Sequence, residues 1–185
     1  ISLLDTMRSY TKAFSISAKW GFENRSWNKV DNHHATYKFV RQSIPELPSS
    51  LVQCARDCAC EALKAVKCKT LPERKPLSAM RYNHGVITVN LIHGLATIAS
   101  TNGRIKATFF VHSHYRNYLS WTIKSSNISY DRRNKVFYLH VSLEHNDPEK
   151  ITDLKVLGID RGIVNITVCS DNTFYNSKKI KNCRA

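Results

Sequence analysis

Leu3, Met7, Tyr10 and Phe14 recur at three- and four-residue intervals, so the chain opens on a pattern that predicts an amphipathic helix with one apolar face. Trp20, Phe22 and Trp27 carry the apolar content on towards Val30, which predicts a long helix bent near Gly21. Asp31 is placed to cap a second helix carrying Ala35, Tyr37, Phe39 and Val40. That helix must stop before Pro45, because proline lacks the amide hydrogen a helix interior needs. Pro48-Ser49-Ser50 opens a third, with Ser50 and Gln53 at capping-box spacing and Leu51, Ala55, Cys58, Ala62 and Val66 as its apolar stripe. Three such helices predict a small bundle over residues 1–70, and no internal repeat is evident.

The period changes after a joint rich in proline and cations, made by Pro72, Arg74, Lys75 and Pro76. Val86 to Ile92 and Leu95 to Ala99 are short β-rich runs, and Asn102-Gly103 is a type I′ hairpin signal leading into the alternation of Ile105, Ala107, Phe109 and Val111. Trp121 to Ile123 and Ile128 to Tyr130 add strand character. The basic turn Asp131-Arg132-Arg133-Asn134 then returns the chain into Phe137, Leu139, Val141 and Leu143, whose alternation gives one buried face. Closely spaced antiparallel strands of this kind predict a small barrel over residues 71–150. Asp147-Pro148-Glu149 reads as a loop before a third region, residues 151–185.

In that third region Val156 to Val168 reads as a buried strand ending in the carboxylate of Asp160, a tight glycine turn and a second strand. Gly158 and Gly162 flank Asp160 and thin the backbone there, so a phosphate or metal ion has room to approach. An ordinary hairpin turn facing water explains the same residues.

The stretch LGIDRGIVNITVCSDN, residues 157–172, resembles the first catalytic motif of RuvC/RNase H-like nucleases, and specifically that of the TnpB/OrfB family of insertion-sequence proteins. Residues 3–66 are similar to the helical region of that family, and residues 104–120 and 136–145 to the wedge-like barrel that precedes its nuclease domain. The likeness thus covers nearly the whole chain in the family's order. The resemblance implies an α+β protein: an N-terminal helical bundle, a small wedge-like antiparallel β-barrel, and the first β-hairpin of an incomplete RNase H/RuvC-like α/β domain.

It further implies an RNA-guided DNA endonuclease, historically described as a transposase, with guide RNA and DNA as partners and Asp160 as catalytic residue and Mg²⁺ ligand. Such sites need several carboxylates to hold two metal ions, and only Asp160 matches. The later Glu and Asp motifs and the four-cysteine zinc element of the family are not in this sequence, and the first strand that precedes its opening helix is also missing. The expectation is therefore an N-terminal portion or the product of a broken gene, inactive in DNA cleavage on its own. Arg161 stands where the family often has an uncharged residue; a phosphate contact and relaxed selection both account for it. A non-catalytic nucleic-acid-binding protein, and an RNase H-like fold completed by a separate polypeptide, remain open as alternatives.

Composition points the same way independently. With 185 residues and 42% hydrophobic content the chain can bury one sizeable core or two small ones. Its 28 Lys and Arg against 14 Asp and Glu give a formal charge of +14, which favours a polyanionic partner and salt-sensitive binding. No apolar stretch approaches the ~18–20 residues needed to span a membrane, and no signal core is evident, so the expected location is the cytoplasm. Arg104, Lys106, Arg116, Lys124, Arg132, Arg133 and Lys135 gather in and around the barrel strands, interleaved with Tyr115, Tyr118 and Trp121. Cations for phosphate and rings for bases suit RNA loops and single strands, although a solvated basic face over core aromatics gives the same pattern. In the helical region Arg25, Lys29, Lys38 and Arg41 are placed to track a duplex backbone, and ordinary helix solubility explains them as well.

Cys54, Cys58 and Cys60 are close together, but they lie within a helical pattern rather than on paired knuckles, so buried thiols are expected instead of zinc. Cys68, Cys169 and Cys183 show no paired spacing, and no disulfide is expected. His33, His34, His84, His93, His112, His114, His140 and His145 form no metalloprotease motif, and His112 and His114 are expected on one face of a strand. Neither a nucleophile elbow nor a phosphate-cradling glycine loop is present, which removes the corresponding hydrolase and kinase classes.

Overall fold

The computed structural model describes residues 2–83, 85–147, 156–162 and 165–176. His84, Pro148, Glu149, Ile163, Val164 and Cys183, which figure in the expectations above, lie outside the described residues. The chain divides into two units, Ile1–His145 and Asn146–Ala185.

The first unit opens with helix α1, Ser2–Glu23. Met7, Tyr10, Phe14 and Ala18 are buried along one face, and each large side chain so placed contributes roughly 1.5–3 kcal/mol. The helix ends where Arg25 takes a left-handed φ of 48°, its N–H reaching the carbonyl of Phe22 at 3.2 Å while that of Ser26 reaches Gly21 at 2.8 Å. This paired closure usually has glycine at the left-handed position. It stops the helix short of Trp27. Gly21 serves as a passage rather than a bend: a Cβ there would stand 2.4 Å from Leu63 Cδ1 and 2.7 Å from the Ser26 carbonyl.

Helix α2 spans Lys29–Ser43 and α3 spans Ser49–Ala65. Asn28, not Asp31, caps α2, its side-chain oxygen accepting the Val30 N–H at 2.8 Å. Asp31 falls in the first turn, where its charge complements the helix dipole. Nor does a capping box open α3: Pro48 precedes it without a side-chain cap, and Ser50 is already helical. α3 packs against α1, α2 and a strand, so its buried positions, Leu51, Val52, Cys54, Ala55, Ala59, Cys60 and Leu63, spread wider than the stripe read from sequence. Cys58, Ala62 and Val66 are only half-buried.

Six strands follow in this unit: β1 (Met80–Tyr82), β2 (Ile87–Asn90), β3 (Leu95–Ser100), β4 (Gly103–Thr108), β5 (Thr122–Asp131) and β6 (Val136–Glu144). They form two antiparallel three-stranded sheets, ordered β1-β5-β6 and β2-β3-β4. Among the described residues neither closes on itself, so the expected barrel is two open sheets. The alternation that begins at Ile105 pairs only as far as Thr108, after which the chain leaves the sheet and winds a 3₁₀ helix over Ser113–Tyr118. The two runs expected at 121–123 and 128–130 are one strand, β5, with an irregularity between Ile123 and Ser125.

The β3–β4 hairpin also departs from a type I′ turn. Positive φ falls on Gly103, at 94°, and not on Thr101 or Asn102. The Ser100 hydroxyl braces the turn by donating to the Gly103 carbonyl at 2.7 Å. Met80, Tyr82, Ile87, Ala96, Ile98 and Ile128 turn inward and join the helical residues in one continuous core, so helices and sheets of this unit fold around shared apolar contacts.

The second unit carries β7 (Ile159–Asp160), β8 (Asn165–Cys169) and β9 (Phe174–Asn176), an antiparallel sheet ordered β7-β8-β9. The strand leading to Asp160 is exposed, not buried: Val156 is 85% and Ile159 62% accessible. Strands of two to five residues need a second layer to cover an apolar face, and the described residues of this unit include no helix to supply one. No helix among the described residues is long and apolar enough to cross a membrane.

Candidate nucleic-acid interface

The cations singled out from sequence fall into two groups. Lys29 pairs with Glu61 at 3.0 Å, and Arg81 meets the same carboxylate at 2.8 Å, tying α2, α3 and β1 together. These partners, Arg81 foremost, hold the Glu61 carboxyl below its usual range. Arg41 donates to the carbonyls of Pro45 and Leu47, Arg104 to that of Gly85 at 3.1 Å, and Lys124 pairs with Glu144. Lys29, Arg41, Arg104 and Lys124 are thus engaged within the fold. Arg25, Lys38, Lys106, Arg116, Arg132, Arg133 and Lys135 are exposed.

Strand register places Arg104 and Lys106 on one face of their sheet with Thr88, Thr97 and Thr108. At the end of the β5–β6 hairpin the Asp131 carboxylate accepts from the backbone N–H of Arg133 at 2.8 Å, the N–H of Asn134 at 3.3 Å and the Asn134 side chain at 2.7 Å. The bonds from Asn134 are the main reason that this carboxyl lies below its usual range. The turn is braced from within while Arg132, Arg133 and Lys135 face outward.

Between β4 and β5 the chain builds a row of rings. Tyr115 lies 6.5 Å from Tyr118, Tyr118 meets Trp121 edge-on at 4.8 Å, and Trp121 lies 4.9 Å from His145. Facing β6 across a cleft of about 650 Å³ are Phe110, Tyr115, Tyr118 and Leu119, with Tyr138, His140 and Leu143 on the strand side. A smaller recess of about 260 Å³ shares Phe109, Phe110 and Leu119 with it and adds Arg116. The Phe109 N–H anchors this wall by donating to the Gly94 carbonyl at 2.8 Å. Phe110 is 86%, Tyr115 56% and Tyr138 49% accessible, unusual exposure for rings of this size.

His112 and His114 are not on a strand. His112 precedes the 3₁₀ helix, and its Nδ1 accepts the His114 N–H at 3.2 Å. His140 shares a 2.7 Å hydrogen bond with Ser129 on the outward face of β5–β6. Sequence reasoning does not single out Phe110 or Tyr138, and it takes His140 only as one of the histidines outside any metal motif. Phe110 breaks the alternation begun at Ile105, and Tyr138 and His140 occupy the outward parity of β6, where an aromatic residue is itself a signal.

Asp160 sits at the end of β7, exposed, its carboxylate accepting the Arg161 N–H at 2.8 Å. The glycines beside it leave less room than their spacing suggests. A Cβ at Gly158 would be in ordinary contact with Ser170, and one at Gly162 would stand 3.1 Å from the Asn165 carbonyl. Among the described residues no three His, Cys, Asp or Glu side chains come together as a metal site. One exposed carboxylate does not fit a two-metal centre, so these residues alone would not hold one.

Cys54 and Cys60 are buried and Cys58 half-buried on α3, all as free thiols. Burial pushes the Cys60 thiol up to about 11 and raises that of Cys54. Compared with known proteins, the chain matches no protein-family model and no curated sequence.

Proposed function

We propose that this chain binds RNA and DNA as part of a TnpB/OrfB-like, RNA-guided DNA endonuclease of an insertion sequence. The reading rests on the exposed rings and cations gathered between Arg104 and Tyr138, set in a chain of net charge +14. Cations attract the phosphate backbone while rings offer faces to bases, and base pairing with a guide would supply sequence recognition. In this reading the helices and sheets bind by shape and backbone. Asp160 would be the one carboxylate that the described residues add to a Mg²⁺ site completed by groups elsewhere, where the metal would activate water and stabilise the leaving oxygen. A cytoplasmic site of action goes with it.

The test is RNA affinity across a salt series, read by fluorescence anisotropy. Affinity is expected to fall steeply with salt. The pair Arg132→Glu and Arg133→Glu is expected to weaken binding and to flatten the salt slope by roughly one for each phosphate left without a cation. Affinity indifferent to both would overturn the reading. The solitary exposure of Asp160 favours a second reading, a non-catalytic nucleic-acid-binding protein. The two part on cleavage by the native protein: metal-dependent DNA cutting lost in Asp160→Asn belongs to the first, and binding without cutting to the second.

A further inference from the structure

The cleft between the 109–119 segment and β6 has three properties that together name an occupant. First, its volume of about 650 Å³ falls within the roughly 300–1,000 Å³ typical of ligand clefts, and it is open to solvent-exposed rings on both sides. Second, β6 is the outer strand of its sheet and among the described residues pairs with β5 alone, so the N–H and C=O groups of its far side run along the cleft without a strand partner. Third, the cleft's described lining includes His112 and His140 but no carboxylate, and Arg116 lines the smaller recess that shares Phe109, Phe110 and Leu119 with it.

Aromatic faces, a row of backbone donors and acceptors and positive charge without acid are what an unstacked base and its phosphate require. An apolar peptide strand would use the backbone row and the rings but leave the charge unanswered. We propose that this cleft holds an unpaired base of a single-stranded nucleic acid, stacked against Tyr115 and Tyr118, with its edge towards the β6 backbone and its phosphate towards Arg116. The proposal rests on the nucleic-acid reading above and goes beyond it by naming the site and the state of the ligand. Tyr118 is already held edge-on by Trp121 at 4.8 Å, so its orientation is set before the base arrives.

The test uses short single-stranded oligonucleotides carrying 2-aminopurine at one internal position, as RNA and as DNA, with the full chain. Stacking should quench the fluorescence on binding, and a stronger effect with RNA than with DNA would show the 2′-hydroxyl taking part. The double substitution Tyr115→Ala and Tyr118→Ala should weaken binding by roughly tenfold and abolish the quench. Tyr115→Phe with Tyr118→Phe, which keeps the rings, should retain both. The charge-reversed Arg132→Glu, Arg133→Glu chain should bind more weakly yet still quench once saturated.

Oligonucleotide binding with unchanged fluorescence, together with full affinity in the alanine variant, would overturn the cleft while leaving the nucleic-acid reading intact. No binding to either oligonucleotide would overturn both. Concentration-dependent protection of the β6 amides in hydrogen exchange, unaffected by RNA, would assign this edge to a second copy of the chain and likewise overturn the cleft.

Discussion

Gly21 and Ser126 show how single positions carry the packing of the first unit. Helix propensity alone favours alanine over glycine by about 1 kcal/mol, but a methyl group at Gly21 would press on Leu63 and on the carbonyl of Ser26, the residue whose N–H closes α1. The carbonyl is backbone and cannot swing aside, so overpacking prevails. Gly21→Ala is expected to lose about 1–2 kcal/mol, measured as a lowered urea midpoint. Ser126 is the opposite case: it is 0% exposed, and its hydroxyl has no hydrogen-bond partner among the described residues. Ser126→Ala removes that orphan and should gain about 1 kcal/mol, seen as a higher melting temperature. Neither effect could be read from the chain. Gly21 looked like a bend and Ser126 fell between two predicted strand runs, because the neighbours that decide their roles are remote in sequence.

At the scale of elements, helix ends were the least legible part. Pro45 did mark the limit of α2, since a missing amide hydrogen is a local fact. The caps themselves fell elsewhere: Asn28 instead of Asp31, and none from Ser50. Several residues near each end can bond the free amides, and the path of the chain into the helix selects one. Arg25 at the end of α1 is instructive, because a non-glycine residue in the left-handed region costs roughly 1–2 kcal/mol. Part of this is recovered in the less flexible unfolded chain. Arg25→Gly is therefore expected to raise stability by up to about 1 kcal/mol in chemical denaturation, with an equal or lower midpoint counting against the strain argument. The strand alternation of β6 was legible throughout, from exposed Val136 to exposed Glu144, because one covered face imposes a period of two.

On the scale of the whole molecule, the core of the first unit couples stability to alkaline pH. Burial pushes the Cys60 thiol to about 11 from the ordinary 9.0, and raises Cys54 and the phenols of Tyr10 and Tyr82 as well. Groups whose pKa is raised by folding release their protons first in the unfolded chain. Their contribution is therefore complete below about pH 9 and is lost as pH climbs towards 11. The urea midpoint should hold steady up to about pH 8.5 and fall beyond it. A flat profile to about pH 11 would show that these groups are not buried as described.

By itself the sequence determined the periods of helices and strands, the change from one to the other near Leu71, and the excess of positive charge, because each depends on residue identity and short spacing alone. Only the tertiary structure decided that the helices and two sheets share one core, and that Lys29, Arg41, Arg104 and Lys124 are tied to neighbouring groups of the same unit. It also decided that the sheets stay open among the described residues and that β6 faces a cleft lined by Phe110, Tyr115 and Tyr118. Those outcomes depend on which distant surfaces meet, and a periodic pattern says which face is apolar without saying what will cover it.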